Sequence, residues 1–305
     1  MGGESTSRRR FVAGLIGGGI ATSLSPVLHE READALGVSY SYQLIDIEAL
    51  ELGAGDAGRL LGEAQRMGFS GVNVTHPCKQ VVIEHLDEVS PAALALGAVN
   101  TVVFEDGRSI GHNTDQPGFK GSFERGLPDA AIDSVVVLGA GGAGAAVAHG
   151  VLELGAARVT LVDVDGSRAE ALALLLSRQF PRSEVEWLGI DRLQDALQAA
   201  DGLIHATPTG MVGQPGMPFE PRLLDERLWV ADIVYRPLNT ELLTRARERG
   251  CRTLDGSGMV VIQAAASFAL FTGLRPDRDR MFRELENVLR AEARSELEWP
   301  KRAGV

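Results

Sequence analysis

Apolar positions along the chain change their spacing repeatedly, from short continuous runs to the three- and four-residue spacing of an amphipathic helix. In the first third of the chain the short runs predict strands at residues 11–16, 40–45 and 72–75. The helical spacing predicts helices at residues 26–36, 56–67 and 79–86. Alternation of this kind is typical of parallel sheets covered by helices.

The alternation is interrupted once and then resumes. "AVNTVVFEDGRSIGHNTD" predicts an antiparallel strand pair joined at Asp106-Gly107, because Asp-Gly is favoured in two-residue hairpin turns. Beyond Asp115 a strand at 135–138 leads through a glycine turn into an alanine-rich helix. Further strands are predicted at residues 158–162, 184–188, 202–206 and 228–233.

The order of elements predicts an α/β protein of two domains. A short helix near residues 117–126 is the expected boundary. We expect residues 1–116 to form an N-terminal α/β domain and residues 117–255 to form a Rossmann-type domain. The last helices, at 259–293, are expected to pack back on the first domain, so that residues 256–305 complete it.

Composition narrows the functional classes. The chain has 305 residues, 45% hydrophobic and 23% charged, which is ordinary for a globular protein. Its net charge of −11 argues against a nucleic-acid partner, which normally requires a basic surface. Cys78 and Cys251 fit no disulfide framework and no metal-ligand spacing, so we predict a reducing compartment and no metal site. No uninterrupted apolar run reaches membrane-spanning length, so we expect no membrane association.

The stretch "SVVVLGAGGAGAAVAHG" carries the G-x-G-x-x-G pattern between a buried strand and a helix. Gly139 is expected to permit a tight turn, Gly141 to let the backbone approach a pyrophosphate, and Gly144 to let the helix lie close to the sheet. The N–H groups at the helix N-terminus then face the phosphates. The cofactor-binding candidates here are Gly139, Gly141, Gly142, Ala143 and Gly144. This context predicts a dinucleotide-binding site.

The next strand indicates which dinucleotide binds. Asp163 ends that strand, 19 residues after Gly144, where an acid can accept hydrogen bonds from both ribose hydroxyls and repels a 2′-phosphate. Asp163 and Asp165 flank Val164, where an NADP site more often has a basic residue. Arg168 can meet a phosphate or cover the adenine. We predict NAD as the cofactor and leave NADP open.

Six separated motifs carry a resemblance over nearly the full chain. In chain order they are "GGGIATSLSP", "NVTHPCKQ", "GAVNTV", "GHNTD", "DIVYRPLNTELL" and "GSGMVVIQAA". In this order they resemble the shikimate/quinate dehydrogenase family. The resemblance implies Lys79 and Asp115 as catalytic residues. It implies a substrate site formed by Ser23, Ser25, Thr75, Asn100, Tyr235 and Gln263.

On the cofactor side the resemblance adds Ile233, Gly256 and Met259. The glycine-rich segment 206–218 is expected to be a cofactor-side loop, with Ala206 and Thr207 at its strand end. "PCKQ", "GHNTD" and "LFTGLRPDRDRM" are most similar to NAD-linked members that handle quinate and shikimate. Thr22 is a departure, because many biosynthetic members carry histidine there, and so is Asp163, because NADP-using members tend to carry asparagine followed by arginine.

The residue types suit oxidation of one hydroxyl on a polyhydroxylated ring acid. Ser23 and Ser25 can donate to the carboxylate without adding charge. Asn100, Asp115 and Gln263 can each distinguish ring hydroxyls, since a site built to bind an OH strongly rejects analogues that lack it. Lys79 is expected to take the proton of the reacting hydroxyl in oxidation and return it in reduction. Asp115 is expected to orient substrate and lysine.

Several alternatives remain at this point. One is an NADP-dependent biosynthetic shikimate dehydrogenase working in the reducing direction. Another is a dehydrogenase of an amino-substituted substrate, and a third is a catalytically silent module that senses NAD or a metabolite. The oligomeric state is not determined by the sequence, and a homodimer is compatible with it.

The N-terminal segment "STSRRRFVAGLIGGGIA" has the outline of a twin-arginine export signal. The alternative is a basic leader followed by the first strand and a glycine turn. Cleavage near Ala21 would remove the strand at 11–16 that positions Ser23 and Ser25, and the cytoplasm supplies NAD. We therefore expect a cytoplasmic protein that retains this strand.

Overall fold

Two six-stranded sheets form the framework of the protein in a computed structural model, which describes residues 9–298. The strands of the first sheet are β1 (Arg10–Gly17), β2 (Ser39–Asp46), β3 (Gly71–Val74), β4 (Glu88–Val89), β5 (Thr101–Glu105) and β6 (Arg108–His112). Their order is β2-β1-β3-β5-β6-β4. Strands β1, β2 and β3 are parallel, whereas β5 is antiparallel to β3 and β6. This sheet is therefore mixed.

The second sheet is parallel throughout. Its strands are β7 (Ser134–Leu138), β8 (Arg158–Asp163), β9 (Glu184–Gly189), β10 (Gly202–His205), β11 (Trp229–Asp232) and β12 (Arg252–Leu254). Their order is β12-β11-β10-β7-β8-β9, with parallel pairing between all neighbours. The order reverses between β7 and β10. Ligands of open α/β sheets bind at the carboxyl ends of strands at such a reversal.

Helices cover both sheets. In chain order they are α1 (Ser25–Ala35), α2 (Ala57–Arg66), α3 (Pro91–Leu96), α4 (Asp115–Gly126), α5 (Gly142–Glu153), α6 (Gly166–Gln179), α7 (Leu193–Gln198), α8 (Glu241–Glu248), α9 (Ser257–Thr272) and α10 (Arg278–Glu298). The fold class is confirmed, as are the predicted strands and the hairpin. Asp106 and Gly107 both have positive φ, at 50° and 80°, as a two-residue hairpin turn requires.

The helix predicted at residues 79–86 is wrong. The segment forms a five-residue 3₁₀ helix, Val81–His85, and Lys79 lies in the turn before it. Three consecutive β-branched residues, Val81 to Ile83, lower its helix propensity. The backbone carbonyl of Lys79 accepts a hydrogen bond from Val99 at 2.9 Å, so tertiary contacts hold the turn.

Helix α9 packs against the N-terminal part of the chain. On α9, Val261, Ala264 and Ala265 form one apolar cluster with Leu24 and Leu28 of the first domain. Helix α9 also lies close to α4, where a Cβ built on Gly118 would be 3.1 Å from the Met259 carbonyl oxygen. Within residues 9–298, no helix is both long and apolar enough to cross a membrane.

The first strand is central to its sheet and cannot be removed without exposing the core. Strand β1 pairs with β2 along its whole length and with β3 from Ala13 to Ile16. Ala13 and Ile16 are fully buried. We predict that the mature protein retains residues 11–16, because cleavage near Ala21 would leave β2 and β3 without their shared neighbour. N-terminal sequencing of protein from its native source tests this, and a mature N-terminus beyond Ile16 would contradict it.

Candidate active site

The structure brings Lys79 and Asp115 together between the two domains, in the region bounded by the end of β3, the start of α4 and the start of α5, which is called the cleft. Lys79 follows β3, and Asp115 is the first residue of α4, where the Asn113 side chain accepts hydrogen bonds from the backbone N–H groups of Asp115 and Gln116. Lys79 Nζ lies 2.6 Å from Asp115 Oδ2, and the side chains are 16% and 9% exposed. A partly buried lysine held by a carboxylate is suited to proton transfer at a bound hydroxyl.

The second domain faces this pair directly. A Cβ built on Gly142, at the start of α5, would lie 3.3 Å from Lys79 Cδ and 3.9 Å from Ala98 Cβ. The aliphatic stem of Lys79 therefore packs against the first turn of α5. The glycine motif and the predicted acid/base are thus adjacent across the cleft.

A buried polar network lies beside the pair. The Tyr42 hydroxyl donates to Asn73 Oδ1 at 2.8 Å, and Asn73 Nδ2 donates to Thr101 Oγ1 at 3.0 Å. Thr101 Oγ1 donates to Asn100 Oδ1 at 3.0 Å. Asn100 in turn binds Thr114 twice, through its Nδ2 to Thr114 Oγ1 at 2.9 Å and through its Oδ1 to the Thr114 N–H at 2.8 Å. The network fixes the strand ends that precede Asp115.

This network changes the view of Asn100. The sequence assigns the Asn100 side-chain amide to a substrate hydroxyl. In the structure Asn100 is 3% exposed, and both the nitrogen and the oxygen of this amide form hydrogen bonds with Thr114. In the structure Asn100 holds the start of α4, so a contact with substrate requires it to share these bonds. The roles of Tyr42, Thr101 and Thr114 were not predicted, because buried hydroxyl groups follow no local pattern in the sequence.

The serine loop, residues 22–25, follows β1 and ends at Ser25, the first residue of α1. Ser23 Oγ donates to Ser25 Oγ at 3.2 Å, and the Ser25 N–H donates to Ser23 Oγ at 3.3 Å. Burial raises the pKa of Tyr235, and the nearby Ser23 side chain and Leu24 backbone oppose the rise; Tyr235 also packs against the apolar cluster that contains Leu24. Tyr235, from the second domain, therefore meets the serine loop of the first. Thr75 is half-buried at the end of β3, and its N–H donates to the Ile16 carbonyl at 2.9 Å.

The start of α9 closes another side of the cleft. A Cβ built on Gly256 would lie 2.4 Å from the Ile233 carbonyl oxygen, so this helix begins directly against the end of β11. Met259 and Gln263 follow on α9, both partly buried and both close to Gly118 of α4. The predicted residues Ile233, Gly256, Met259 and Gln263 are therefore neighbours, although they come from separate motifs.

The glycine motif has the geometry that a dinucleotide needs. Gly139 has φ +109°, and a Cβ there would lie 2.6 Å from the Ala206 carbonyl oxygen. A Cβ on Gly144 would lie 1.9 Å from the Gly139 carbonyl oxygen, so only glycine lets α5 approach the strand end. Gly141 caps α5, and apart from its chain neighbours no heavy atom of the described chain lies within 4 Å of a Cβ built there. This open cradle at a helix N-terminus fits a pyrophosphate. Ala143 is half-buried in the first turn of α5.

The carboxylate at the end of β8 supports the same loop. Asp163 is 7% exposed; its Oδ2 accepts from the Ala140 N–H at 2.7 Å and its Oδ1 from the Asp165 N–H at 2.8 Å. Asp165 caps α6 and lies 3.6 Å from Arg168 as an exposed ion pair. A negative charge thus stands beside the glycine motif, while the nearby guanidinium is held by Asp165.

A second polar group that was not predicted from the sequence lies behind the cofactor-side loop, residues 206–218; its His205, Asp232 and Thr240 are buried, and its Thr207 is partly buried. His205 Nδ1 lies 2.9 Å from Asp232 Oδ1, and His205 Nε2 lies 2.5 Å from Thr207 Oγ1. Thr240 Oγ1 donates to Asp232 Oδ2 at 2.7 Å. This group fixes the ends of β10 and β11, which carry Ala206, Thr207 and Ile233. The sequence contains one indication of this group: His205 and Asp232 are polar residues at the ends of the otherwise apolar strands β10 and β11.

Among residues 9–292, whose side chains the structure describes, no group of three or more His, Cys, Asp or Glu side chains is placed to hold a metal ion. Cys78 and Cys251 are both free and buried, and burial raises the pKa of each thiol.

Comparison with known proteins identifies the family of the chain. The profile described as the shikimate dehydrogenase substrate binding domain matches residues 15–102. A protein of Streptomyces avermitilis named shikimate dehydrogenase (NADP(+)) is 57% identical over 91% of this chain and 96% of its own. One of Corynebacterium efficiens named quinate/shikimate dehydrogenase (NAD(+)) is 46% identical over 89% and 96%.

A solved structure agrees with these sequences. The quinate dehydrogenase of Corynebacterium glutamicum in complex with NAD superposes with a TM-score of 0.85 at 44% identity, over 91% of this chain and 99% of that one. The identity and the coverage exceed what a shared fold alone requires. The chain therefore belongs to the shikimate/quinate dehydrogenase family of NAD(P)-dependent oxidoreductases.

Proposed function

We propose that this enzyme oxidises the C3 hydroxyl of shikimate, quinate or both with NAD, giving the 3-dehydro acid in a reversible reaction. The observation that carries the proposal is the Lys79–Asp115 pair, 2.6 Å apart and packed against Gly142 of the glycine motif. An acid/base next to a dinucleotide cradle is the arrangement that alcohol oxidation requires.

The proposed roles follow from the positions of the side chains. The dinucleotide supplies the hydride acceptor when it is bound, held by the glycine motif and Asp163. In oxidation the amine form of Lys79 accepts the proton of the C3 hydroxyl, and in reduction its ammonium form returns it. Asp115 orients Lys79 and the ring. Ser23 and Ser25 donate to the substrate carboxylate, with Thr75, Tyr235 and Gln263 as further contacts.

The preference for NAD rests on charge. Asp163 places a carboxylate against the Ala140 N–H of the glycine motif, where it repels a ribose 2′-phosphate. The second candidate, an NADP-dependent biosynthetic enzyme, is favoured by the name of the 57%-identical relative and by the exposed Arg168 close to the same strand end. An NAD-linked enzyme works against a largely oxidised pool, so we also propose a catabolic direction.

We predict that Asp163→Asn raises KM for NAD and improves the use of NADP. The substitution removes a repulsive charge and places an amide where two backbone N–H groups need an acceptor. Initial rates with both cofactors give the ratio of kcat/KM, which should move towards NADP. Asp165→Asn is the comparison, because it removes a charge two residues away while an amide oxygen can still cap α6. If the ratio of kcat/KM shifts as much in Asp165→Asn as in Asp163→Asn, the Asp165–Arg168 pair, and not Asp163, determines the choice between NAD and NADP.

The function itself is tested by initial rates for shikimate and quinate, each with NAD and with NADP. We expect shikimate and NAD to be turned over readily, and quinate measurably, with shikimate the better substrate by kcat/KM. A wild-type preference for NADP would favour the biosynthetic candidate. Inactivity on both acids with both cofactors would point to an amino-substituted substrate or to a sensor.

Three further assignments belong to this proposal. The domains divide at residues 116/117 and 255/256; residues 1–8 and 299–305 of the first domain lie outside the described part of the chain. The enzyme works in the cytoplasm, which supplies its dinucleotide. A homodimer remains a prediction, to be checked by light scattering.

A further inference from the structure

Arg236 connects the second domain to the substrate side of the cleft. Its Nη1 donates to the Thr22 carbonyl at 2.5 Å, one peptide link before Ser23. Its Nη2 lies 3.0 Å from Glu292 Oε1 of α10, and its own carbonyl accepts from the Val212 N–H of the cofactor-side loop at 3.0 Å. The side chain is 27% exposed. One arginine therefore contacts the serine loop, α10 and the cofactor-side loop.

The serine loop carries no positive charge of its own. Its residues 22–25, Thr-Ser-Leu-Ser, contain no charged side chain, and the whole chain carries a net charge of −11. Hydroxyl donors alone bind a carboxylate less strongly than donors next to a positive charge. The Arg236 guanidinium also affects the adjacent Tyr235: burial raises the pKa of this tyrosine, and the positive charge of Arg236 lowers it. The contact of Arg236 Nη1 with the Thr22 carbonyl places this positive charge at the serine loop.

We propose that Arg236 is a specificity-determining residue that supplies the positive charge for the substrate carboxylate and holds the serine loop through the Thr22 carbonyl. This rests on the proposed function, in which the serine loop binds that carboxylate. Glu292 competes for the same guanidinium, so it weakens the attraction for the substrate. The enzyme thereby distinguishes ring acids from their neutral analogues.

The test compares shikimate with its methyl ester, which keeps the ring hydroxyls but has no charge. Arg236→Met should raise KM for shikimate about tenfold, as expected for loss of a partly buried charge–charge contact, and change kcat and the ester KM far less. Arg236→Lys should retain part of the preference for the acid. Glu292→Gln should have the opposite effect and lower KM for shikimate.

A matched control separates charge at the site from anchoring of α10. Arg31 of α1 pairs with Glu284 on α10, away from the cleft, so Arg31→Met removes a comparable ion pair without touching the serine loop. It should leave the ratio of acid to ester kcat/KM unchanged. If Arg236→Met raises KM equally for acid and ester, or Glu292→Gln raises KM for the acid, the charge assignment is wrong. Lack of wild-type turnover of both acids would instead overturn the proposed function, and this assignment with it.

Discussion

Lys79→Met is expected to lower kcat at least ~10²-fold, within the range that loss of a general acid/base causes. Methionine has a similar length and packs against the first turn of α5, but it cannot exchange a proton. Substrate binding should weaken far less, because the carboxylate and most ring hydroxyls are bound by other residues. Steady-state kinetics with shikimate and NAD, together with titration of substrate binding, separate the two effects.

Two further variants make this result specific. Lys79→Met leaves the 9%-exposed Asp115 without its partner, which can destabilise the fold. Lys79→Arg retains a cation beside Asp115 but holds its proton permanently, so it should fold and still lose turnover. Lys120→Met removes a lysine that pairs with Glu153 at 3.5 Å outside the cleft and should keep wild-type rates. Turnover near wild type in Lys79→Met would refute the mechanism.

The sequence predicts best those features that one short segment determines. The hairpin follows from Asp106-Gly107, and the tight turn and close helix packing of the glycine motif follow from Gly139 and Gly144. Each depends on backbone conformations that few residues adopt, so residue type is sufficient evidence. The catalytic pair is a harder case, because Lys79 and Asp115 are 36 positions apart, and the family resemblance brought them together.

The features that sequence analysis missed depend on contacts between distant segments. The turn that holds Lys79 looks helical by its apolar spacing, yet the bond from Val99 and the β-branched run give a different conformation. Asn100 stays a predicted substrate contact, but the sequence does not show that its side chain also binds Thr114, on the other strand end of the hairpin. Arg236 reads as an ordinary surface arginine, and its contact with Thr22 spans 214 positions. Hydrogen bonds between residues that are distant in the chain produce no periodic pattern in the sequence.

The second large effect concerns two glycines of the same motif, which should respond in opposite ways. Gly144→Ala places a methyl group 1.9 Å from the Gly139 carbonyl oxygen, a backbone atom that no side-chain rotation can move away. Ala140, which follows Gly139, donates its N–H to Asp163 Oδ2 at 2.7 Å, so the end of β7 cannot easily shift. We expect a loss of ~2 kcal/mol or more of unfolding free energy, as for overpacked cores, and a lower Tm without cofactor.

Gly141→Ala should leave the free protein almost unchanged, because Gly141 has φ −75° and ψ −171°, which alanine also adopts, and its Cβ would point into open space. If that space receives the pyrophosphate, the methyl group should raise the Kd for NAD about tenfold or more, since the backbone can no longer approach the phosphates. Thermal unfolding with and without NAD, and calorimetric titration, measure both effects. Unchanged NAD affinity in Gly141→Ala would mean that the open cradle is not the phosphate site, whereas unchanged stability in Gly144→Ala would mean that α5 is free to move away from β7.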